Sequence, residues 1–288
     1  TERAARLAVA GLADGGFFRD VGGVYEPTNR ALGFLAAADL RSVGSHPAEL
    51  DDLDALRALP ETMRGAEPPV GDEPAPDGTT TEWTRNRLGR VQATEEATVR
   101  ACVTAAQHVA PDGLVVDVGG APGTYAVEFA RRGYEVTLLD SADRIGASAS
   151  LLAREPVATV AWPLPGDRAD EDGGNDEVDS ATFPVDGVDR AFVPVRTSDR
   201  SAAANRRLVA AAADALAPGG WLVTVDYLRG RSPAARATTI RRLASGTGEA
   251  HAPGDYRDWF ESAGLRAVQV RDVPGTDRQV VLGQARDS

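Results

Sequence analysis

Val115-Val116-Asp117-Val118-Gly119-Gly120-Ala121-Pro122-Gly123 decides the fold, because a short apolar run closed by clustered glycines is a strand handing over to a helix. Leu114 to Val118 reads as the strand and Thr124 to Arg132 as the helix. Gly119 and Gly120 remove side chains where a ligand must lie against the backbone. The same strand–turn–helix grammar then repeats. Glu135 to Leu139 is a second strand ending at Asp140, followed by a helix near Ile145 to Arg154 and a third strand, Val157 to Trp162. An acidic, glycine-rich loop from Pro163 to Gly187 leads to a fourth strand, Ala191 to Val195. The helix Ala202 to Leu216 stops at Pro218-Gly219-Gly220, and the fifth strand, Trp221 to Val225, ends at Asp226. Helices near Ala234 to Leu243 and Asp255 to Ala263 precede two last strands, Ala267 to Val273 and Gln279 to Leu282, joined by Pro274-Gly275-Thr276-Asp277.

Alternating strands and helices imply a doubly wound, mainly parallel sheet. The closing pair is the exception, since so short a connection forces an antiparallel hairpin at the end of the sheet. Upstream, Thr81 to Val109 reads as helical, with apolar positions at Leu88, Val91, Val99, Val103 and Ala106, broken by Pro111-Asp112-Gly113. Glu67 to Gly78 has the composition of a linker. The first forty residues read as helix (Ala4 to Leu12), hairpin (Phe17-Phe18 and Val24-Tyr25 around Gly22-Gly23) and helix (Thr28 to Leu40), the order of a winged-helix module entered part-way. The chain starts at Thr1 and its only methionine is Met63, so a truncated first domain is expected. The expected division is 1–78 for this module and linker, 79–112 for connecting helices and 113–288 for the α/β domain.

Composition narrows the function. Asp and Glu number 43 against 31 basic residues, every one of them arginine, for a net charge of −12. Weakly hydrated arginine on an acidic surface with the acids spread along the chain suits concentrated salt better than it suits recruitment of a basic partner. No basic stripe interleaved with aromatics marks a nucleic-acid interface, and the hairpin's Arg19 is offset by Asp20 and Glu26. Neither a membrane span nor a signal peptide is visible, which points to the cytoplasm. The lone Cys102 excludes an internal disulfide and reads as a small buried hydrophobe; three scattered histidines give no metal-ligand spacing, and His46 and His108 fall outside the elements around the turn.

A glycine turn with an acid at the end of the next strand, here Asp140, 21 residues after Gly119, fits either S-adenosylmethionine or NAD. Three details favour the former. Asp117 stands two residues before the first glycine, poised for a cationic amino-acid tail. The run Gly119 to Thr124 fails G-x-G-x-x-G, with Ala121 at the second glycine position. The terminal hairpin is foreign to a simple dinucleotide fold. Each residue also has a plainer role: Asp117 as an acceptor for nearby amides, Asp226 as a cap, the glycine turn as strand–helix packing alone. The enzyme reading requires the backbone at 119–123 to stay bare, not plugged by the protein's own side chains.

Val115 to Gly123, Asp140, Ala204-Asn205-Arg206-Arg207-Leu208, Leu216-Ala217-Pro218-Gly219-Gly220 and Trp221 to Asp226 resemble the S-adenosylmethionine-dependent O-methyltransferases, as does Asp255-Tyr256-Arg257-Asp258-Trp259-Phe260-Glu261-Ser262-Ala263-Gly264. The likeness is strong over 113–140 and 204–264 and weak over 157–203. It implies a seven-stranded Rossmann-like sheet behind a winged-helix dimerisation domain, of a type common in salt-loving archaea. It also implies a homodimer, S-adenosylmethionine as cofactor, and methyl transfer to a small hydroxylated substrate. The cofactor set it implies is Asp117, Gly119, Gly120, Ala121, Gly123 and Asp140, with Asp167 arriving late for the family's adenine-side acid. Asp226 matches the acid that orients the family's catalytic histidine, but the histidine position falls on Ser198, whose neutral hydroxyl is no base. His251, with Glu249 beside it, is the candidate replacement. The alternative is a degenerate methyltransferase-like protein that binds a ligand, regulates, or partners an active subunit.

Overall fold

A computed structural model describes residues 1–34, 40, 44–67, 80–107, 113–165, 182–246 and 248–287. The chain runs α1 (Glu2–Asp14), β1 (Phe18–Val21), β2 (Val24–Pro27), α2 (Asn29–Phe34), α3 (His46–Thr62), α4 (Glu82–Gln92) and α5 (Glu96–Gln107). Then come β3 (Leu114–Val118), α6 (Thr124–Arg131), β4 (Glu135–Asp140), α7 (Ala142–Leu152), β5 (Ala158–Ala161) and β6 (Val188–Pro194). A 3-10 turn (Thr197–Asp199), α8 (Ala202–Asp214), β7 (Leu216–Asp226), α9 (Ala235–Ala244), α10 (Pro253–Ser262), β8 (Arg266–Asp272) and β9 (Gln279–Gln284) complete it.

Seven strands form one sheet in the order β5-β4-β3-β6-β7-β9-β8. The first five are parallel, while β9 lies antiparallel between β7 and β8. The expected closing hairpin is therefore present, with its second strand the inner one. Alternate residues of each strand enter opposite cores, as the strand period of two requires. Val115, Phe192, Val223, Val225, Val280 and Leu282 pack under α5 and α6 with Val103, Tyr125 and Phe129. Val116, Val118, Ala191, Val193, Leu222 and Val281 pack under α8 and α10 with Leu208, Tyr256, Trp259 and Phe260. A third small cluster joins Leu40 and Leu88 to Ala121 and Leu151, so α4 rests directly on the glycine turn. Side-chain caps start two flanking helices: the Thr81 hydroxyl accepts from Thr84 N–H at α4, and the Ser201 hydroxyl accepts from Ala204 N–H at α8.

Several elements differ from expectation for identifiable reasons. The helical stretch expected over 81–109 divides into α4 and α5, closed at Ala93 and restarted at Glu96; Val109 lies outside the described residues. Helix α3 was not foreseen: its buried positions are Ala48, Asp52 and Ala55, which give no apolar stripe to read. Strand β7 begins at Leu216 rather than after Gly220, because Leu216 pairs with Val188 ahead of a register shift between Val188 and Arg190. The helix–hairpin–helix order of the first forty residues is present as α1, β1–β2 and α2, though α1 buries no side chain. No described helix is long and apolar enough to cross a membrane.

Arg190, on β6, is 1% exposed and none of its three guanidinium nitrogens has a hydrogen-bond partner. It stacks 5.8 Å from the Phe129 ring centroid and 5.1 Å from that of Tyr134, and burial pushes its pKa down. A buried cation supported by little more than Tyr134 and the charge of Asp189 costs more than an apolar side chain of similar length. We expect Arg190→Met to raise stability by about 1–3 kcal/mol, read as a higher urea midpoint at unchanged slope; a lower midpoint would mean the two ring contacts outweigh the desolvation.

Candidate functional site

The turn after β3 is held by its neighbours. Gly119 N–H donates to the Leu139 carbonyl at 2.7 Å, and Ala121 N–H donates to Asp140 Oδ2 at 3.1 Å. Two glycines are enforced by proximity. A Cβ on Gly120 would stand 2.2 Å from the Asp117 carboxylate, and one on Gly123, at φ +96°, would stand 2.6 Å from Leu152 Cδ2. The Asp117 carboxylate thus lies directly over the Gly120 backbone. It is fully buried, and neither oxygen has a hydrogen-bond partner. Burial, opposed by the nearby Ala126 amide and reinforced by the charge of Asp140, pushes its pKa up to about 8. A carboxylate in this state lacks a cation.

Asp140 is also buried, but it is engaged. Oδ2 takes the Ala121 amide, Oδ1 takes the Ser141 amide at 2.9 Å, and Arg144 Nε stands 3.9 Å from Oδ1. The other face of the turn is not bare. A Cβ on Gly119 would meet Leu164 Cδ1, Arg196 Cγ and Arg196 Nε, each at 3.1 Å. Those side chains cover the strip that sequence reasoning expected to be open, and a nucleoside reaches it only once they have moved aside. Asp167 lies outside the described residues.

The candidate catalytic residues divide. Asp226, at the end of β7, receives the Thr197 hydroxyl at 2.6 Å and Ser198 N–H at 2.8 Å on Oδ2, and Tyr227 N–H at 2.8 Å on Oδ1. The single Thr197 proton is spent on Asp226, so the Tyr256 hydroxyl, 2.5 Å from Thr197 Oγ1, donates in turn. Burial, with Asp226 as the nearest charge, holds Tyr256 well above the usual phenol range. Asp226 therefore straps the 3-10 turn to β7, which leaves it few lone pairs for a reacting proton. Ser198 stands beside it with a buried hydroxyl that has no partner. His251 is 2% exposed and packs edge-on to Trp259 at 4.9 Å. Its Nε2 is 3.0 Å from both the Arg200 carbonyl and Asn205 Nδ2, so either tautomer commits that nitrogen to the protein's own groups. Asn205 also donates to the Thr197 carbonyl at 2.8 Å, which joins His251 to the strap. Glu249 turns outward instead and pairs with Arg229 at 3.0 Å on the surface. His108 lies outside the described residues.

Sequence reasoning missed the groups that complete this region. Arg196 reaches Asp199 at 3.3 Å, and Asp199 also pairs with Arg242 of α9. Asp52 of α3 pairs with Arg87 at 3.3 Å and Arg90 at 2.9 Å, both on α4, and stands 4.0 Å from Arg241. The only prior signal was the spacing of Arg87 and Arg90 and the doublet Arg241-Arg242, which say nothing of each other until the helices pack.

Comparison with solved structures follows this geometry. An O-methyltransferase family protein from Burkholderia thailandensis superposes with a TM-score of 0.68 at 18% identity, over 100% of this chain and 85% of that one. Human N-acetylserotonin methyltransferase, solved in complex with SAM, gives 0.64 at 17% identity, over 99% and 84%. The mitomycin 7-O-methyltransferase gives 0.65 at 18% identity, over 99% and 84%. The fold is the one these O-methyltransferases share. No family model and no curated protein matches the sequence.

The unpartnered carboxylate makes stability fall with pH. In the folded protein Asp117 keeps its proton up to about 8, whereas an unfolded aspartate loses it near ~3.9. Between those values the folded state binds more protons, so its stability declines as pH rises. Asp117→Asn should remove that decline, checked by denaturant titrations from pH 4 to 8; parallel wild-type and variant curves would contradict the assignment.

Proposed function

We propose that the chain is an S-adenosylmethionine-dependent O-methyltransferase acting on a small hydroxylated molecule. The observation that carries the reading is Asp117: a buried carboxylate without a cation, lying against Gly120, suits the ammonium of an amino-acid tail once Leu164 and Arg196 leave Gly119. When bound, the cofactor supplies a methyl group on a sulfonium sulfur. The backbone of Gly119, Gly120, Ala121 and Gly123 would carry it, Asp140 would accept from its ribose, and Leu164 and Arg196 would give way. Asp167, which lies outside the described residues, is proposed as the adenine-side acid on the resemblance alone. Neighbours solved with SAM or SAH support this reading. Salt adaptation, a cytoplasmic location and a homodimer complete it, the first supported by the net charge of −12.

With Ser198 where a histidine would stand and Asp226 tied into the strap, the described residues offer no ready base. Transfer then depends on an acceptor hydroxyl that ionises by itself. A rate that follows the acceptor's own ionisation across a series of phenols, nitrophenols ahead of the parent phenol, is the expected outcome; a fixed pH profile common to all acceptors would reveal a base in the protein. The same two residues favour a second reading, binding without transfer, and it prevails if the cofactor binds while no acceptor is methylated.

Calorimetry in molar salt tests the cofactor. Binding at pH 7 should release close to one proton, seen as a heat that depends on the buffer's ionisation enthalpy, because Asp117 must ionise to meet the ammonium. Asp117→Asn should abolish that release. Asp140→Ala should cost roughly 1.5–3 kcal/mol of affinity. Absence of any binding by S-adenosylmethionine or S-adenosylhomocysteine would sink the reading.

A further inference from the structure

Among the described residues, Arg87, Arg90, Arg196, Arg241 and Arg242 gather around two carboxylates, Asp52 and Asp199. The neighbouring Asp51 is turned to Asn86, whose amide donates to it at 3.0 Å. Its enclosed members are Arg87 and Arg242, with side chains 12% and 14% exposed, while Arg241 reaches the surface. The Nε atoms of both are buried and without a hydrogen-bond partner. Desolvation and the like charge of Arg242 pull Arg87 down to about 10 against the pull of Asp199 and Asp52. Burial pushes Asp199 upward, yet Arg242, Arg196, Arg87 and Arg144 together hold it below the usual carboxylate range. Arg87 is further fixed in orientation by the Trp83 ring, 4.6 Å beneath its guanidinium.

The desolvated guanidiniums of Arg87 and Arg242, each with an unpartnered Nε, fit an incoming oxyanion, because the planar fork matches a carboxylate or phosphate bidentately. Its position gives the anion a role. Arg196 touches Gly119 at one end and Asp199 at the other, and Asp199 leads to Arg242, so the cluster is continuous with the glycine turn. Ser198, with its unpartnered hydroxyl, is the residue next to Asp199. We propose that Arg87 and Arg242 recognise an oxyanion, carboxylate or phosphate, carried by the methyl acceptor; this rests on the methyltransferase reading above. The acceptor is then an anionic hydroxylated molecule rather than a neutral phenol.

Binding of 4-hydroxybenzoate, 4-hydroxyphenyl phosphate and the neutral 4-hydroxybenzamide, measured by calorimetry with and without S-adenosylhomocysteine, decides the matter. At least one anion should bind about 10-fold more tightly than the amide, the scale of one charge-assisted hydrogen bond, and the tighter of the two identifies its class. Arg87→Gln and Arg242→Gln should each reduce that preference to within about 2-fold and leave S-adenosylhomocysteine affinity unchanged. Arg87→Lys, which retains the charge beside Asp52 but lacks the fork, should give an intermediate loss. Asp199→Asn, which frees Arg242, should strengthen anion binding. Equal affinity for acid and amide, or a preference that survives in Arg87→Gln and Arg87→Lys, overturns the proposal. Failure of S-adenosylhomocysteine to bind would strike the cofactor reading alone, since the anion preference is read separately in the cofactor-free protein.

Discussion

One carboxylate holds the working end of the sheet together. Asp140 accepts the amides of Ala121 and Ser141 with its two oxygens, while its own carbonyl accepts Trp162 N–H at 2.9 Å. It therefore joins the glycine turn, the start of α7 and the exit of β5 at a single point. With the Gly119 amide on the Leu139 carbonyl, this fixes the turn against β4 and leaves Asp117 no room to move away from Gly120. Charge-assisted bonds in so enclosed a place are strong, and every neighbouring feature inherits its position from them.

Two further aspartates show how the same side chain takes opposite roles. Asp117 has nothing to bind and holds its proton, whereas Asp226 has three donors and serves as a tie. Burial alone does not distinguish them, because both are almost completely enclosed. What differs is the supply of donors: Asp117 has only the nearby Ala126 amide to oppose its burial, while the 3-10 turn and Thr197 are built around Asp226. A fold commonly tolerates one such unsatisfied group where a ligand completes it, which is why the two lead to different expectations.

The sheet was legible because its evidence is local. Apolar runs with glycine and proline at their ends located the strands, and the brief connection at 274–277 located the antiparallel pair. The turn residues and Asp140 were legible for the same reason, being fixed by strand ends. What escaped were features made by packing between distant segments. No pattern in the chain announces that Leu164 and Arg196 will lie over Gly119, or that Asp52 and Asp199 will each collect arginines from other helices. His251 illustrates the limit: its place in the loop before Tyr256 was read correctly, but its commitment to Asn205 and Arg200 depends on how α8 and α10 meet.

The placement of β9 inside β8 carries a consequence for how the sheet is assembled. Strand β8 pairs with β9 and not with β7, so it is synthesised with no strand to lie against and waits for the next one. Until Gln279–Gln284 threads into the gap, the outer edge of β7 stays open and two rows of backbone amides and carbonyls have only water for company. The β8–β9 pairing is local and the β7–β9 pairing is not, so this end of the sheet closes through a contact of high sequence separation.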